Sequence, residues 1–185
     1  SKRVSIEFHK LGLCPEDEWY KNINFIKGKI VDFHRFLFMK NRYFLPSNNK
    51  TKNDIEKTYN NCVERYKDAL DKNGVPKWKG KIYQGFIFNN GASMAGYSSD
   101  NIMYDSYRKL PFIPLNKVKG GNVLDIGSNQ GFFSFQAAIH GAKKVIGLEL
   151  TEQDVLTAND IKKIVNTPNV EFINTDAVEY VKNTK

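Results

Sequence analysis

The stretch VLDIGSNQGFFSF, residues 123–135, sets Asp125, Gly127, Asn129 and Gly131 at alternate positions between an apolar run and a helical pattern. Glycines so spaced let a strand turn sharply into a helix and let backbone approach a ligand. The dinucleotide fingerprint GxGxxG would need glycine at 129 and 132, where this chain has Asn129 and Phe132. Asp125 argues against a pyrophosphate more directly. It closes the strand beside the loop, and two like charges about 5 Å apart repel by roughly 3 kcal/mol at an effective dielectric near 20. A P-loop is excluded because no Gly-Lys-Ser/Thr follows.

A cofactor bearing a cation turns that repulsion into attraction. S-adenosyl-L-methionine carries an ammonium and a sulfonium, and an acid at Asp125 suits both. Gly127 and Gly131 would then let backbone close on the methionine and ribose portions, with Ser128, Asn129 and Phe132 as their neighbours. Asn129 tolerates left-handed angles better than most residues. Two more acids follow. Glu149, with Leu150 beside it, ends the next apolar run, where a carboxylate can accept both ribose hydroxyls. Asp176 ends the third and can accept from an adenine amino group, with the Ala177 backbone N–H alongside. Each acid alone also reads as a helix cap or a surface charge. Three of them at the ends of three successive strands read as one site, since ligands of open α/β sheets bind at the carboxyl ends of the strands.

The elements that must position these residues alternate after Gly120-Gly121. NVLDIG, KKVIGLEL and NVEFINTDA are apolar runs, separated by the helical stretches GFFSFQAAIHGA and EQDVLTANDIKKIVN. That order implies βαβ units and a parallel sheet. The fold class expected is α/β: a partial, Rossmann-like parallel sheet of three strands, preceded by a mainly helical amino-terminal region. The expected domains are a helical region over 1–75, a covering or linker segment over 76–116 and a cofactor-binding half domain over 117–185, with the first boundary between Gly74 and Lys81.

Upstream, Trp19, Ile23, Ile26, Ile30, Phe33 and Leu37 recur at helical spacing after Pro15, with Gly28 as a weak point. A second helix is expected over 53–74, capped by Asn53 with Glu56 completing a capping box, and ended by Asn73-Gly74. Its stripe is Ile55, Tyr59, Cys62, Tyr66 and Leu70. Residues 75–115 are irregular and long for a plain loop, which suggests a segment lying over the site. Tyr104, Tyr107 and Arg108 are candidates to face it, or simply to pack the segment down. His9, His34 and His140 have no partner identifiable from sequence, so no catalytic residue is assigned. Cys14 and Cys62 form no CxxC and no metal site is expected; two free thiols suit a reducing, cytoplasmic setting. No run approaches the length of a membrane span, and no secretory signal is seen.

The stretches VLDIGSNQGFFSFQAA, KKVIGLEL and VEFINTDA, about 65 residues, resemble the class I S-adenosylmethionine-dependent methyltransferases. The resemblance implies that Asp125, Gly127, Asn129, Gly131, Glu149 and Asp176 bind the cofactor, with Asn129 departing from the more usual glycine. Upstream, PKWKGKIYQG and SSDNIMYDSYRKLPFIPL are loosely similar to the CmoB-like tRNA-modifying enzymes. There a lysine following a tryptophan meets the extra carboxylate of carboxy-S-adenosylmethionine, a place that Lys77 or Lys79 would take. The family fold has seven strands and three are visible, so the chain is expected to be the amino-terminal piece of a longer protein, or a domain cut from one, with weak cofactor binding and no turnover of its own.

Charge indicates the acceptor. The net charge is +8, and the excess lies early: residues 1–120 carry 22 Lys and Arg against 12 Asp and Glu, residues 121–185 carry 6 against 8. A basic part beside a near-neutral one suggests an anionic partner, either nucleic acid such as tRNA or an anionic small molecule, or else a solvated lysine-rich surface. The readings left open are a methyltransferase acting on RNA, one acting on a sugar or metabolite, and a non-catalytic cofactor-binding module. Oligomeric state is not legible.

Overall fold

Side-chain capping and aromatic packing fix the elements around the loop. The computed structural model describes residues 43–184 apart from 72, 76 and 101–104, together with two short strands near the amino end. By internal contacts the chain divides into Ser1–Tyr43 and Phe44–Lys185. The division therefore falls before the Gly74–Lys81 stretch that the sequence suggested.

In the first unit, β1 (Asn24–Ile26) pairs antiparallel with β2 (Lys29–Val31), Asn24 opposite Val31 and Ile26 opposite Lys29. Two strands thus stand within the stretch 14–38 where a helix, weak at Gly28, was expected. Lys27-Gly28 lies between the strands, and Ile26, Ile30 and Val31 are β-branched, which favours the extended backbone once Gly28 weakens a helix. Trp19, Ile23, Phe33, Leu37, His9, His34 and Cys14 lie outside the described residues.

The second unit begins with α1 (Lys52–Glu64). Thr51 is the cap, not Asn53: its hydroxyl accepts from the Asp54 N–H at 3.2 Å, and the Asp54 carboxylate accepts from the Thr51 N–H at 2.9 Å. The capping box exists, with Asp54 in the role expected of Glu56. The helix also stops ten residues early by the measure of Gly74, because Arg65 is its C-cap and the chain turns there. Ile55, Cys62 and Tyr66 are buried, as the stripe implied, but Leu70 is 54% exposed beyond the turn. Burial pushes the Cys62 thiol up to about 11.

The covering segment is ordered into small pieces. β3 (Phe86–Ile87) pairs antiparallel with β4 (Ser93–Met94), and a single helical turn, α2 (Ser106–Lys109), follows with Asp105 as its cap. Then come β5 (Asn122–Ile126), α3 (Phe132–Ile139), β6 (Lys144–Glu149), α4 (Glu152–Val165), β7 (Val170–Asn174) and α5 (Ala177–Asn183). The three strands are parallel in the order β5-β6-β7, with Asp125 beside Gly147 and Glu149 beside Asn174. The alternation read from sequence is the architecture found.

An aromatic core joins the covering segment to this sheet. Phe132 and Phe135 at the start of α3 are fully buried. The Phe132 ring lies 5.9 Å from that of Phe86 and 4.7 Å from that of Tyr107, and the Phe135 ring lies 5.4 Å from Phe172 on β7. Such pairs add about 0.5–1.5 kcal/mol each beyond their buried area. On the far side, Arg65 pairs with Asp160 of α4, and the Asn48 amide donates to the last carbonyls of α4, Ile164 and Val165. Those carbonyls have no partner within their own helix, which is why a side chain from outside serves them. Among the described residues β5 pairs with β6 alone, and Leu124 and Ile126 on it are 43% and 62% exposed. No helix among the described residues is long and apolar enough to cross a membrane.

Candidate cofactor site

Three left-handed residues, Gly127 at φ 70°, Asn129 at 51° and Gly131 at 87°, carry the chain from β5 into α3. The turn is tied to the neighbouring strand at both ends of its first half. Gly127 N–H and Ser128 N–H both donate to the Leu148 carbonyl, at 2.9 and 3.0 Å. Asn129 N–H donates to Glu149 Oε2 at 2.9 Å, while Glu149 Oε1 accepts from the Thr151 N–H at 3.0 Å. The Asn129 side chain accepts from the Gln130 N–H at 2.9 Å, a local bond that helps a non-glycine residue hold this angle. Each Glu149 oxygen keeps further acceptor capacity, since a carboxylate oxygen has two lone pairs.

Asp125, at the end of β5, accepts the Ser134 hydroxyl of α3 at 2.7 Å. Desolvation raises its pKa, the Ser134 bonds oppose that, and the charge of Glu149 raises it further. Burial raises the pKa of Asp154 as well, hydrogen bonds from Tyr66 and Gln130 oppose it, and the charge of Glu149 raises it further. Two half-buried or buried aspartates thus sense a third carboxylate.

The two glycines differ. A Cβ placed on Gly127 would meet nothing within 4 Å, whereas one on Gly131 would lie 2.4 Å from Phe172 Cζ. Gly131 was expected to open the backbone to a ligand; its hydrogen also makes room for the Phe172 ring, which a Cβ built on Gly147 would meet at 2.7 Å. The close helix–strand approach that the dinucleotide motif assigns to its third glycine is made here one residue earlier. Phe132, a second expected contact, does not face the loop. Its ring is in the core, and its N–H donates to Gln84 Oε1 at 3.1 Å.

The remaining positions separate by burial. Ser128 is 2% exposed, and its hydroxyl has no hydrogen-bond partner among the described residues. Leu150 is 68% exposed at the rim. Asp176 is the N-cap of α5, one oxygen accepting from Val178 and Glu179 N–H at 2.8 and 3.0 Å, so its capping role is real. Ala177 is the first residue of that helix. The structure therefore brings Asp125, Gly127, Ser128, Asn129 and Glu149 together across β5 and β6, keeps Asp176 and Ala177 at the end of the adjoining strand, and withdraws Gly131 and Phe132 into the core.

In the covering segment, Tyr107 packs instead of facing the loop: it is buried against Phe132, and its hydroxyl accepts the Ile87 N–H at 2.8 Å. Arg108 is exposed and pairs with Asp105 at 3.7 Å. Tyr104 lies outside the described residues. Lys77 and Lys79 flank Trp78 on an exposed turn, where Trp78 stacks 4.6 Å from Tyr83. His140 Nδ1 lies 2.8 Å from the Gln136 carbonyl of its own helix. Among the described residues no group of three His, Cys, Asp or Glu is arranged to hold a metal.

Sequence reasoning missed Gln84, Gln130, Tyr66, Asp154 and Asn174. The Asn174 amide donates to the carbonyls of Glu149 and Leu150 at 2.9 and 2.8 Å and so fixes the end of β6. Gln130 is fully buried within the motif itself. Glutamine is ordinarily exposed, so its type gives no warning of this.

The site and sheet define a partial Rossmann-like α/β fold with an acid-lined strand-to-helix turn. No family model matches the chain, and no curated protein sequence matches it either. Solved structures do. The Trypanosoma brucei PRMT1 enzyme–prozyme complex, solved with AdoHcy, is 27% identical over 38% of this chain and 22% of that one, with a TM-score of 0.34. A SAM-dependent methyltransferase from Agrobacterium tumefaciens is 18% identical over 37% and 22%, TM-score 0.33. YcgJ of Bacillus subtilis is 24% identical over 34% and 26%, TM-score 0.32. The chain spans about a quarter of the length of these proteins. TM-scores this low carry no weight for the site, whose chemistry is inferred from the loop itself.

Proposed function

We propose that the Phe44–Lys185 unit holds S-adenosylmethionine for methyl transfer to an anionic acceptor, RNA in the first instance. One observation carries the cofactor: open space above left-handed Gly127, bounded by Asp125 on β5 and Glu149 on β6. The residues present fit that cofactor. Asp125 and Glu149 offer negative charge to a cationic group, the Ser128 hydroxyl is buried without a partner, and Glu149 retains lone pairs for two hydroxyl donors. Bound there, the cofactor supplies a methyl group on a sulfonium, and transfer depends mainly on positioning. The chain's part is to fix the loop, exclude water from Asp125 and present its carboxylate to the cation. Support for an anionic acceptor comes from the early excess of Lys and Arg.

Calorimetric titration tests the reading. S-adenosylhomocysteine or S-adenosylmethionine should bind the 185-residue chain while NAD does not, and Asp125→Asn should weaken the binding without unfolding the chain. Tighter binding of NAD would overturn the cofactor. Binding of tRNA that weakens steeply with salt would support the RNA acceptor, and binding indifferent to salt would sink it.

A further inference from the structure

Gln130 lies between the ligand-facing half of the loop and the core, and both its side-chain atoms are engaged. Its Oε1 accepts the Gln84 N–H at 2.9 Å, and its Nε2 donates to Asp154 Oδ1 and to Tyr66 Oη, each at 2.9 Å. Gln84, 5% exposed, returns the contact: its Oε1 accepts the Phe132 N–H at 3.1 Å. Each glutamine side chain thus holds a main-chain N–H beside the other. The N–H of Phe132 is one of the first in α3, where no carbonyl of the helix itself can serve it. The N–H of Gln84 sits in a segment without a continuous ladder. Two donors that would be orphaned are satisfied across 46 and 48 residues of chain.

The network extends further. The Tyr66 hydroxyl donates to Asp154 Oδ1 at 2.6 Å and lies 3.0 Å from Thr157 Oγ1, which leaves its oxygen to accept from Gln130. Four parts of the unit meet here: the turn after α1, the covering segment, the loop and α4. Every member is buried, so each bond that fails leaves a desolvated polar group.

We propose that Gln84 and Gln130 form a reciprocal clasp by which the covering segment positions the cofactor loop. They are positioning residues, acting through the loop backbone and touching no ligand. The clasp fixes residues 130–132, and the 127–129 half then meets Glu149 in the one register that keeps the Asn129–Glu149 bond. The covering segment is therefore part of the cofactor site mechanically, although its Phe86, Phe88 and Tyr107 side chains are buried in the core. This rests on the cofactor reading above, but its first readout does not require a cofactor.

Amide exchange followed by NMR on the 185-residue chain separates the outcomes. Gln130→Ala should speed exchange at the Gln84 amide and Gln84→Ala at the Phe132 amide, a crossed pattern that general loosening would not give. Both should also speed the Asn129 amide, which neither side chain touches. Calorimetry should show S-adenosylhomocysteine affinity reduced about tenfold in each variant, with the double variant little worse than either. If an alanine variant does not fold, Gln84→Met and Gln130→Met keep the volume and remove the bonds. An uncrossed pattern, or an Asn129 amide that stays protected in both variants, overturns the clasp. Unchanged affinity in variants with the crossed pattern overturns its role in binding. Wild-type chain that binds no S-adenosylhomocysteine overturns the cofactor reading alone, and the Asn129 amide still decides the clasp.

Discussion

The two halves of the loop between Asp125 and Phe132 are built on opposite principles. The first half, through Asn129, has open space over Gly127, a half-buried acid raised in pKa and a buried hydroxyl without a partner. The second half, from Gln130, has the Gln130 side chain and the Phe132 N–H paired, and no room for a Cβ on its glycine beside the Phe172 ring. The first half has its main-chain N–H groups paired but leaves the Ser128 hydroxyl without a partner, as a surface that a ligand completes can do. The second is what holds the first in place. Strain and unmet polarity at a site persist when the surrounding structure over-determines them.

Substitutions should separate the halves. The largest effect on stability is expected of Gly131→Ala, where a Cβ would stand 2.4 Å from Phe172 Cζ at a φ of 87°. Overpacking and left-handed strain each cost about 1–3 kcal/mol, so urea denaturation should show a loss of several kcal/mol. Gly127→Ala carries the strain alone and should lose only about 1–2 kcal/mol. Equal losses at the two glycines would erase the contrast.

Asp125→Asn should act in reverse. Folded Asp125 holds its proton more tightly than the unfolded chain does, so as pH rises from 3.8 through the raised pKa the ionising carboxylate erodes stability. Asparagine removes that penalty, and thermal unfolding at pH 7 should occur at the same temperature or slightly higher. Cofactor affinity should fall tenfold or more. For the wild type, affinity for the cationic cofactor should decline as pH is lowered through that same window, because the carboxyl group becomes neutral. An Asp125→Asn chain that binds as well as wild type would remove this residue from the site.

The smallest effect on stability belongs to Ser128→Ala. The hydroxyl it removes is buried and unpartnered, so denaturation should shift by less than about 0.5 kcal/mol, in either direction. Calorimetry with S-adenosylhomocysteine then reports whether that hydroxyl meets the ligand. A large loss of stability would mean that the hydroxyl is paired within the protein after all.

The alternation of three strands and two helices was legible because buried parallel strands and packed helices need continuous apolar runs of characteristic length. The acids at their ends were legible because fold topology places strand ends together. Element boundaries near the amino end were not. Thr51 displaced Asn53 because a cap is chosen by which side-chain oxygen reaches the third N–H, and Asn24–Ile26 and Lys29–Val31 are paired strands where helical spacing was read. The same limit applied to Asp176, whose helix-cap role and adenine role predict the same residue.

What the sequence determined by itself was the parallel sheet, the turn at Gly127 and the acids Asp125 and Glu149 beside it, all of which follow from local pattern and spacing. What only the tertiary structure decided was which glycine has open space beside it and which faces a ring, and that the Gln84 and Gln130 side chains bond across to the loop and the covering segment. Those depend on residues far apart in the chain arriving at van der Waals and hydrogen-bond distance, and a single sequence does not encode the identity of such neighbours in any local pattern.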